Sequence, residues 1–172
     1  MFNQPLVKIF GKRYALCEFA AQRMWSHNKN DKNEIQKYNR GLLNSNNDPY
    51  LTERTGRLGE MAVCLFLNND KMDVTYRPFG DRGDLIISKR VLEVKTARHN
   101  YGELLVRHIS SGGKIVPIKS DLFIAATVEF ENKVKKYAMI KLVGWIDFEN
   151  FIKKAKLKPA KRGKHINFGY SP

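Results

Sequence analysis

Asp84, Glu93 and Lys95 stand close together in the stretch Gly83 to Ala97, GDLIISKRVLEVKTA, and form the pattern D-x8-E-x-K. Two acids and a lysine are side chains that can serve phosphodiester hydrolysis. That reaction requires a hydroxide-like nucleophile, neutralised charge on the phosphate and a stabilised leaving oxygen. A divalent ion held by the acids supplies all three, and the lysine adds positive charge without occupying a ligand position. The bland alternative is a solvated strand face carrying a charge pair.

For that chemistry the three residues must converge, and the elements around them predict that they do. Leu85-Ile86-Ile87 and Val91-Leu92-Glu93-Val94-Lys95-Thr96 are rich in β-branched residues and read as two strands. In the second strand Leu92 and Val94 point one way, while Val91, Glu93 and Lys95 point the other. A two-residue turn at Ser88-Lys89 pairs Ile87 with Arg90 and brings Asp84 opposite Glu93. Opposed residues in an antiparallel pair have Cβ atoms roughly 4.5–5.5 Å apart. Two carboxylates that close need a cation between them, and a divalent ion or Lys95 can provide it. The turn carries no Asn-Gly or Asp-Gly signal.

The strongest helix signal precedes the hairpin, over residues 52–69, TERTGRLGEMAVCLFLNN. Thr52 can cap it, Glu53 lies in its first turn, and Leu58, Met61, Ala62, Leu65 and Phe66 make a buried stripe. Glu60 lies within that apolar stretch. Gly56 and Gly59 each cost roughly 1 kcal/mol inside a helix, which predicts a close approach to another backbone or to phosphate.

D-x8-E-x-K, preceded by a helix worded G-R-L-G-E-M-A, resembles the active site of the PD-(D/E)XK nuclease superfamily. The resemblance covers about residues 52–152. It implies an α/β fold: a mixed central β-sheet flanked by helices, a restriction-endonuclease-like core. It also implies that Asp84 and Glu93 bind Mg2+ (Mn2+ may substitute), that Val94 contributes a backbone carbonyl, and that Lys95 orients and helps deprotonate the attacking water. Glu60 would support a second ion or its water shell. Asp81 is a rival ligand, set aside because Asp84 abuts the strand. Many family members carry a helix in the interval after the E-x-K strand. Here YGELLVRHISSGGKIVP, residues 101–117, reads instead as a second hairpin turning at Ser110 to Gly113.

The chain has 172 residues, 31 Lys plus Arg and 17 Asp plus Glu, a net charge of +14 that favours a polyanionic partner. DNA is the expected partner, with Arg98, Arg107, Lys114, Lys161, Arg162 and Lys164 as candidate phosphate contacts. Residues 1–50 read as an N-terminal helical, basic extension, and residues 51–172 as the core with a basic C-terminal tail. In the extension, residues 6–25 read as a helix, or a strand-like start followed by one, with Ala15, Leu16, Phe19, Ala20 and Met24 as its apolar stripe. Residues 72–79 read as the first core strand, 121–130 as the buried centre of the sheet with 134–143 as its hairpin partner, and 147–156 as a short helix. Trp145 is expected in the core. Cys17 and Cys64 are expected to be buried free thiols. Four scattered histidines give no structural zinc spacing.

No apolar run approaches the ~20 residues of a membrane span, and the start lacks a signal-peptide pattern, so a cytoplasmic location is expected, without a membrane partner. The expectation is a Mg2+-dependent deoxyribonuclease, structure-selective or exonucleolytic. No separate recognition segment favours a sequence-specific restriction enzyme. A homodimer is compatible with cutting two strands. The alternatives are a non-catalytic basic nucleic-acid-binding protein and an RNA-directed nuclease of the same fold, the latter without a paired aromatic strand motif in the sequence.

Overall fold

The computed structural model describes residues 4–28, 50–69, 72, 84–98, 104–109, 113–115, 117–159 and 166–170. In chain order the elements are β1 (Leu6–Phe10), α1 (Lys12–Asn28), α2 (Leu51–Phe66), β2 (Leu85–Ile87), β3 (Arg90–Ala97), β4 (Leu104–Ile109), β5 (Leu122–Asn132), β6 (Tyr137–Asp147), α3 (Phe148–Lys154), β7 (Lys156–Pro159) and β8 (Ile166–Tyr170). The strand expected over 72–79 lies outside the described residues except for buried Met72. The fold is mixed α/β. No helix among the described residues is long and apolar enough to cross a membrane.

A five-stranded sheet in the order β1-β6-β5-β3-β2 forms the centre. Its only parallel pair among the described strands is β3 with β5; the other neighbours are antiparallel. The apolar run of β5 lies in the middle, where both faces are covered, as its sequence predicts. One face carries α1 and α2 over a core that includes Ile9, Leu58, Met61, Leu92, Val94 and Ile140. The other face is covered in part by a second sheet, β4-β8-β7, and by α3. There Phe123 and Phe151 are fully buried with ring centroids 4.5 Å apart, and each such side chain is worth about 1.5–3 kcal/mol of burial.

Residues 6–28 form a strand followed by a helix, one of the two readings of their sequence, and both elements pack on the core: β1 pairs along β6 and α1 packs on α2. Gly11, at φ +58°, makes the abrupt change from β1 to α1. The inward face of α1 is Tyr14, Cys17, Ala20 and Ala21, whereas Phe19 is exposed. The hydroxyl of Tyr14 explains that phasing, because it donates to Glu131 at 2.7 Å. At the other end the basic tail contains β7 and β8, and β8 pairs with β4 from Leu104 to Ile109. Of the hairpin expected over 101–117, the described residues show an isolated bridge between Ile109 and Ile115. The polypeptide therefore passes from β3 to parallel β5 through a strand of the second sheet. Parallel strands require a long crossover but not a helical one.

Smaller corrections have local causes. Tyr50 occupies the N-cap of α2 and makes no side-chain cap, so Thr52 lies inside the helix. Asp147 caps α3 by accepting from the Asn150 amide at 2.9 Å. Trp145 is 65 % exposed, on the strand that ends in that cap. Gly59 packs directly on Thr96, whose hydroxyl occupies the space a Cβ would fill, whereas Gly56 faces open space.

Glu131 ties the helical layer to the sheet. One carboxylate oxygen accepts from Tyr14 of α1 and from Arg54 of α2, each at 2.7 Å, and the other from Arg98 after β3 at 2.7 Å. Arg98 also donates to Thr55 of α2 at 2.7 Å. Burial raises the carboxyl's pKa, but the three donors outweigh it and hold Glu131 below the usual range. Its ionised form therefore stabilises the fold above the ordinary carboxylate pKa, and that stability is lost as pH falls through the lowered value.

Two consequences follow for stability. Glu131→Gln leaves two arginines facing a neutral amide, and should cost about 3–5 kcal/mol, read as a lower urea midpoint at pH 7. Ser88 and Lys89, the turn between β2 and β3, both have positive φ (50° and 66°), the region of a type I′ turn. Ser88→Asn with Lys89→Gly should raise stability by about 1 kcal/mol, since non-glycine residues pay roughly 1–2 kcal/mol there.

Candidate active site

The β2–β3 register is Leu85 with Leu92, Ile86 with Val91 and Ile87 with Arg90, the pairing the alternation predicts. Asp84 stands just before β2, where the pairing ends, and feels the charge of Glu93. Its amide donates to the Leu92 carbonyl at 2.9 Å. Its carboxylate accepts from the Val94 amide at 2.6 Å, satisfying a β3 donor that β2 is too short to reach. Glu93 and Lys95 share a face and form an ion pair. Val94 points into the helix-side core. Ser120, just before β5, donates to the second oxygen of Glu93 at 3.5 Å, a long contact.

Glu60 approaches from the helical layer. It is buried and paired with Arg57, one helical turn away, at 2.6 Å. Burial pushes its carboxyl up to about 8, Arg57 pulls it down, and the charge of Asp84 pushes it up again. Burial likewise raises Asp84 to about 6, with Glu93 adding repulsion and the Val94 amide, Lys95 and Arg57 opposing it. Asp84 thus sits at the sheet edge between an acid from each side. That concentration of buried negative charge is what a cation would relieve.

Glu60 and Glu93 lie toward opposite faces of the sheet. Among the described residues no three His, Cys, Asp or Glu side chains gather as a ready metal cage. The donors fit a different arrangement. Magnesium is commonly held through one or two carboxylates, with water and substrate phosphate completing the shell. Asp84 and Glu93 match that pattern.

Among the described residues the candidate phosphate contacts disperse. Arg98 faces inward to Glu131 and Thr55, so its charge is already committed to the fold. Arg107 lies on β4 opposite Asn167. Lys114 is exposed beside the Ile109–Ile115 bridge. Lys161, Arg162 and Lys164, like Asp81, lie outside the described residues. Arg57 and Ser120 were not anticipated. The i, i+3 spacing of Arg57 to Glu60 is a usable helix signal, but nothing local marks Ser120. Cys17 and Cys64 are buried free thiols. Burial and then the charge of Glu60 push Cys17 up to about 12, which leaves it unreactive.

Comparison with protein-family models, with curated proteins and with solved structures found no match to this chain.

The raised carboxyls fix the sign of a pH dependence. The folded state holds protons on Glu60 and Asp84 at a pH where the unfolded chain has released them. Without a divalent ion, stability should therefore fall as pH rises from about 5 through 8. Glu60→Gln should flatten that decline, measured as urea midpoints across the range in EDTA.

Proposed function

We propose that this protein is a Mg2+-dependent nuclease that hydrolyses DNA phosphodiester bonds, acting structure-selectively or exonucleolytically. The observation that carries the reading is the placement of Asp84 just before the Leu85–Leu92 pair of the β2–β3 hairpin, within electrostatic reach of Glu93, with Lys95 beside Glu93 on one face. The order α2, β2, β3 and then β5 parallel to β3 supports a restriction-endonuclease-like core. The passage of the crossover through a second sheet is this chain's own variation.

Asp84 and Glu93 would hold the ion, with the Val94 carbonyl as a further oxygen donor, and Glu60, on the other side of Asp84, would support a second ion or its water shell. When bound, the ion supplies charge neutralisation at the phosphate and lowers the pKa of attacking water. Lys95 is half-exposed, and its ammonium can exchange Glu93 for a water or a phosphate oxygen while remaining on the same strand face. Asp84 keeps its hydrogen bond to the Val94 amide, which fixes the carboxylate's orientation. The net charge of +14 draws the polyanion to the surface.

A second reading is a non-catalytic nucleic-acid-binding protein. It is favoured by the engagement of each acid within the protein: Asp84 with the Val94 amide, Glu93 with Lys95, Glu60 with Arg57. Cleavage of linear duplex, single-stranded and four-way-junction DNA, with and without Mg2+, separates the two. On the nuclease reading wild type cuts only with metal, and Lys95→Ala loses about 10²–10³-fold in rate while binding DNA within a few-fold of wild type. Salt-sensitive binding by both proteins without cleavage of any substrate would establish the second reading.

A further inference from the structure

The sheet face that carries Glu93 and Lys95 also carries an aromatic row at its other end, away from the second sheet. Phe10 of β1 pairs in register with Tyr137 of β6, and the Tyr137 ring lies 5.3 Å from that of Phe130 on β5, tilted by 33°. Three rings from three adjacent strands thus line up across the surface. Phe10 is 56 % exposed and Phe130 47 %, an unusual disposition for phenylalanines with a helical layer on the other side of the same strands. The Lys8 ammonium lies over both neighbours, 5.8 Å from the Phe10 centroid and 5.3 Å from that of Tyr137.

The surroundings are basic. Lys12 and Arg13 open α1 just after Phe10 and Gly11, and Lys133, Lys135 and Lys136 lie in the β5–β6 turn. A hydrogen bond from the Gly11 amide to the Lys136 carbonyl, 3.3 Å, joins these two turns. The nearby acids are internally committed: Glu129 to Lys141 at 3.1 Å, and Glu131 to the buried network. Rings without cations would suit a protein partner, and cations without rings would suit any polyanion. Exposed rings interleaved with lysines suit an unpaired nucleic-acid strand, whose bases stack while its phosphates follow the positive charge.

We infer that Phe10, Tyr137 and Phe130, with Lys8, form a docking site for single-stranded nucleic acid, separate from the Asp84–Glu93–Lys95 cluster. The site binds without cutting and does not depend on the nuclease reading. Stacking uses the π-face that every base possesses, so recognition is by single-strandedness rather than by sequence.

The test is fluorescence anisotropy with labelled oligo-dT and an abasic oligonucleotide of equal length, in EDTA, with full-length Lys95→Ala protein as the background. That background should bind oligo-dT at least about tenfold more tightly than the abasic strand, since stacking of each base contributes on this scale. Adding Phe10→Ala and Phe130→Ala should abolish the difference and leave abasic binding unchanged. Phe10→Trp with Phe130→Trp should retain it, which separates stacking from damage to the fold. Equal affinity for the two strands in the background protein would overturn the proposal. So would a dimer that the double alanine variant converts to monomer with oligo-dT binding intact, because the rings would then belong to an interface between two copies.

Discussion

The carboxylate of Glu131 is the constraint on which the arrangement of layers depends. It receives hydrogen bonds from α1, from α2 and from the residue that follows β3, and itself belongs to β5. A buried acid among two arginines and a tyrosine can be satisfied in very few geometries, because every donor left unpaired costs the full desolvation of a polar or charged group. The network therefore sets the height and rotation of both helices over the sheet. It also fixes the end of β3 through Arg98, three residues beyond Lys95. The candidate site thus rests on a strand anchored from the opposite side of its own sheet.

Gly59 adds a second constraint to the same contact. With no Cβ, it lets α2 settle onto Thr96, and the next residue, Glu60, is thereby carried down to the level of Asp84. The cost of glycine inside a helix is offset by a close approach that positions a buried acid. Helix packing and site electrostatics are consequently one problem here. Glu93 raises the free energy of ionised Asp84, and Asp84 that of ionised Glu60, and the internal cations Lys95 and Arg57 offset this only in part.

The aromatic row follows from a feature that has nothing to do with the acids. β5 and β6 extend well beyond the second sheet, and a bulge between Val128 and Phe130 shifts the phase of β5 near its end. Past the bulge Glu131 faces the helices and Phe130 faces outward. Without that extra residue the alternation would place Glu131 on the open face and Phe130 beneath the helices. One irregularity therefore serves both the buried network and the exposed rings.

What the sequence by itself determined is local. The β2–β3 hairpin, the sharing of a face by Glu93 and Lys95, the presence of α2, and β5 as the sheet centre were legible because alternation, helical spacing and continuous apolar runs are written in neighbouring residues. Only the tertiary structure decided the rest. β4 takes its partner from β8 near the other end of the chain, β1 joins the central sheet and brings Phe10 beside Tyr137, and Arg98 turns inward to Glu131. These depend on contacts between segments far apart along the chain, where a residue's partner is chosen by which surfaces remain unburied once the local elements have formed. A lysine or arginine reads the same in sequence whether it will meet phosphate or a buried glutamate. The physical difference is the cost of leaving that glutamate unpaired, which exists only when the chain is folded.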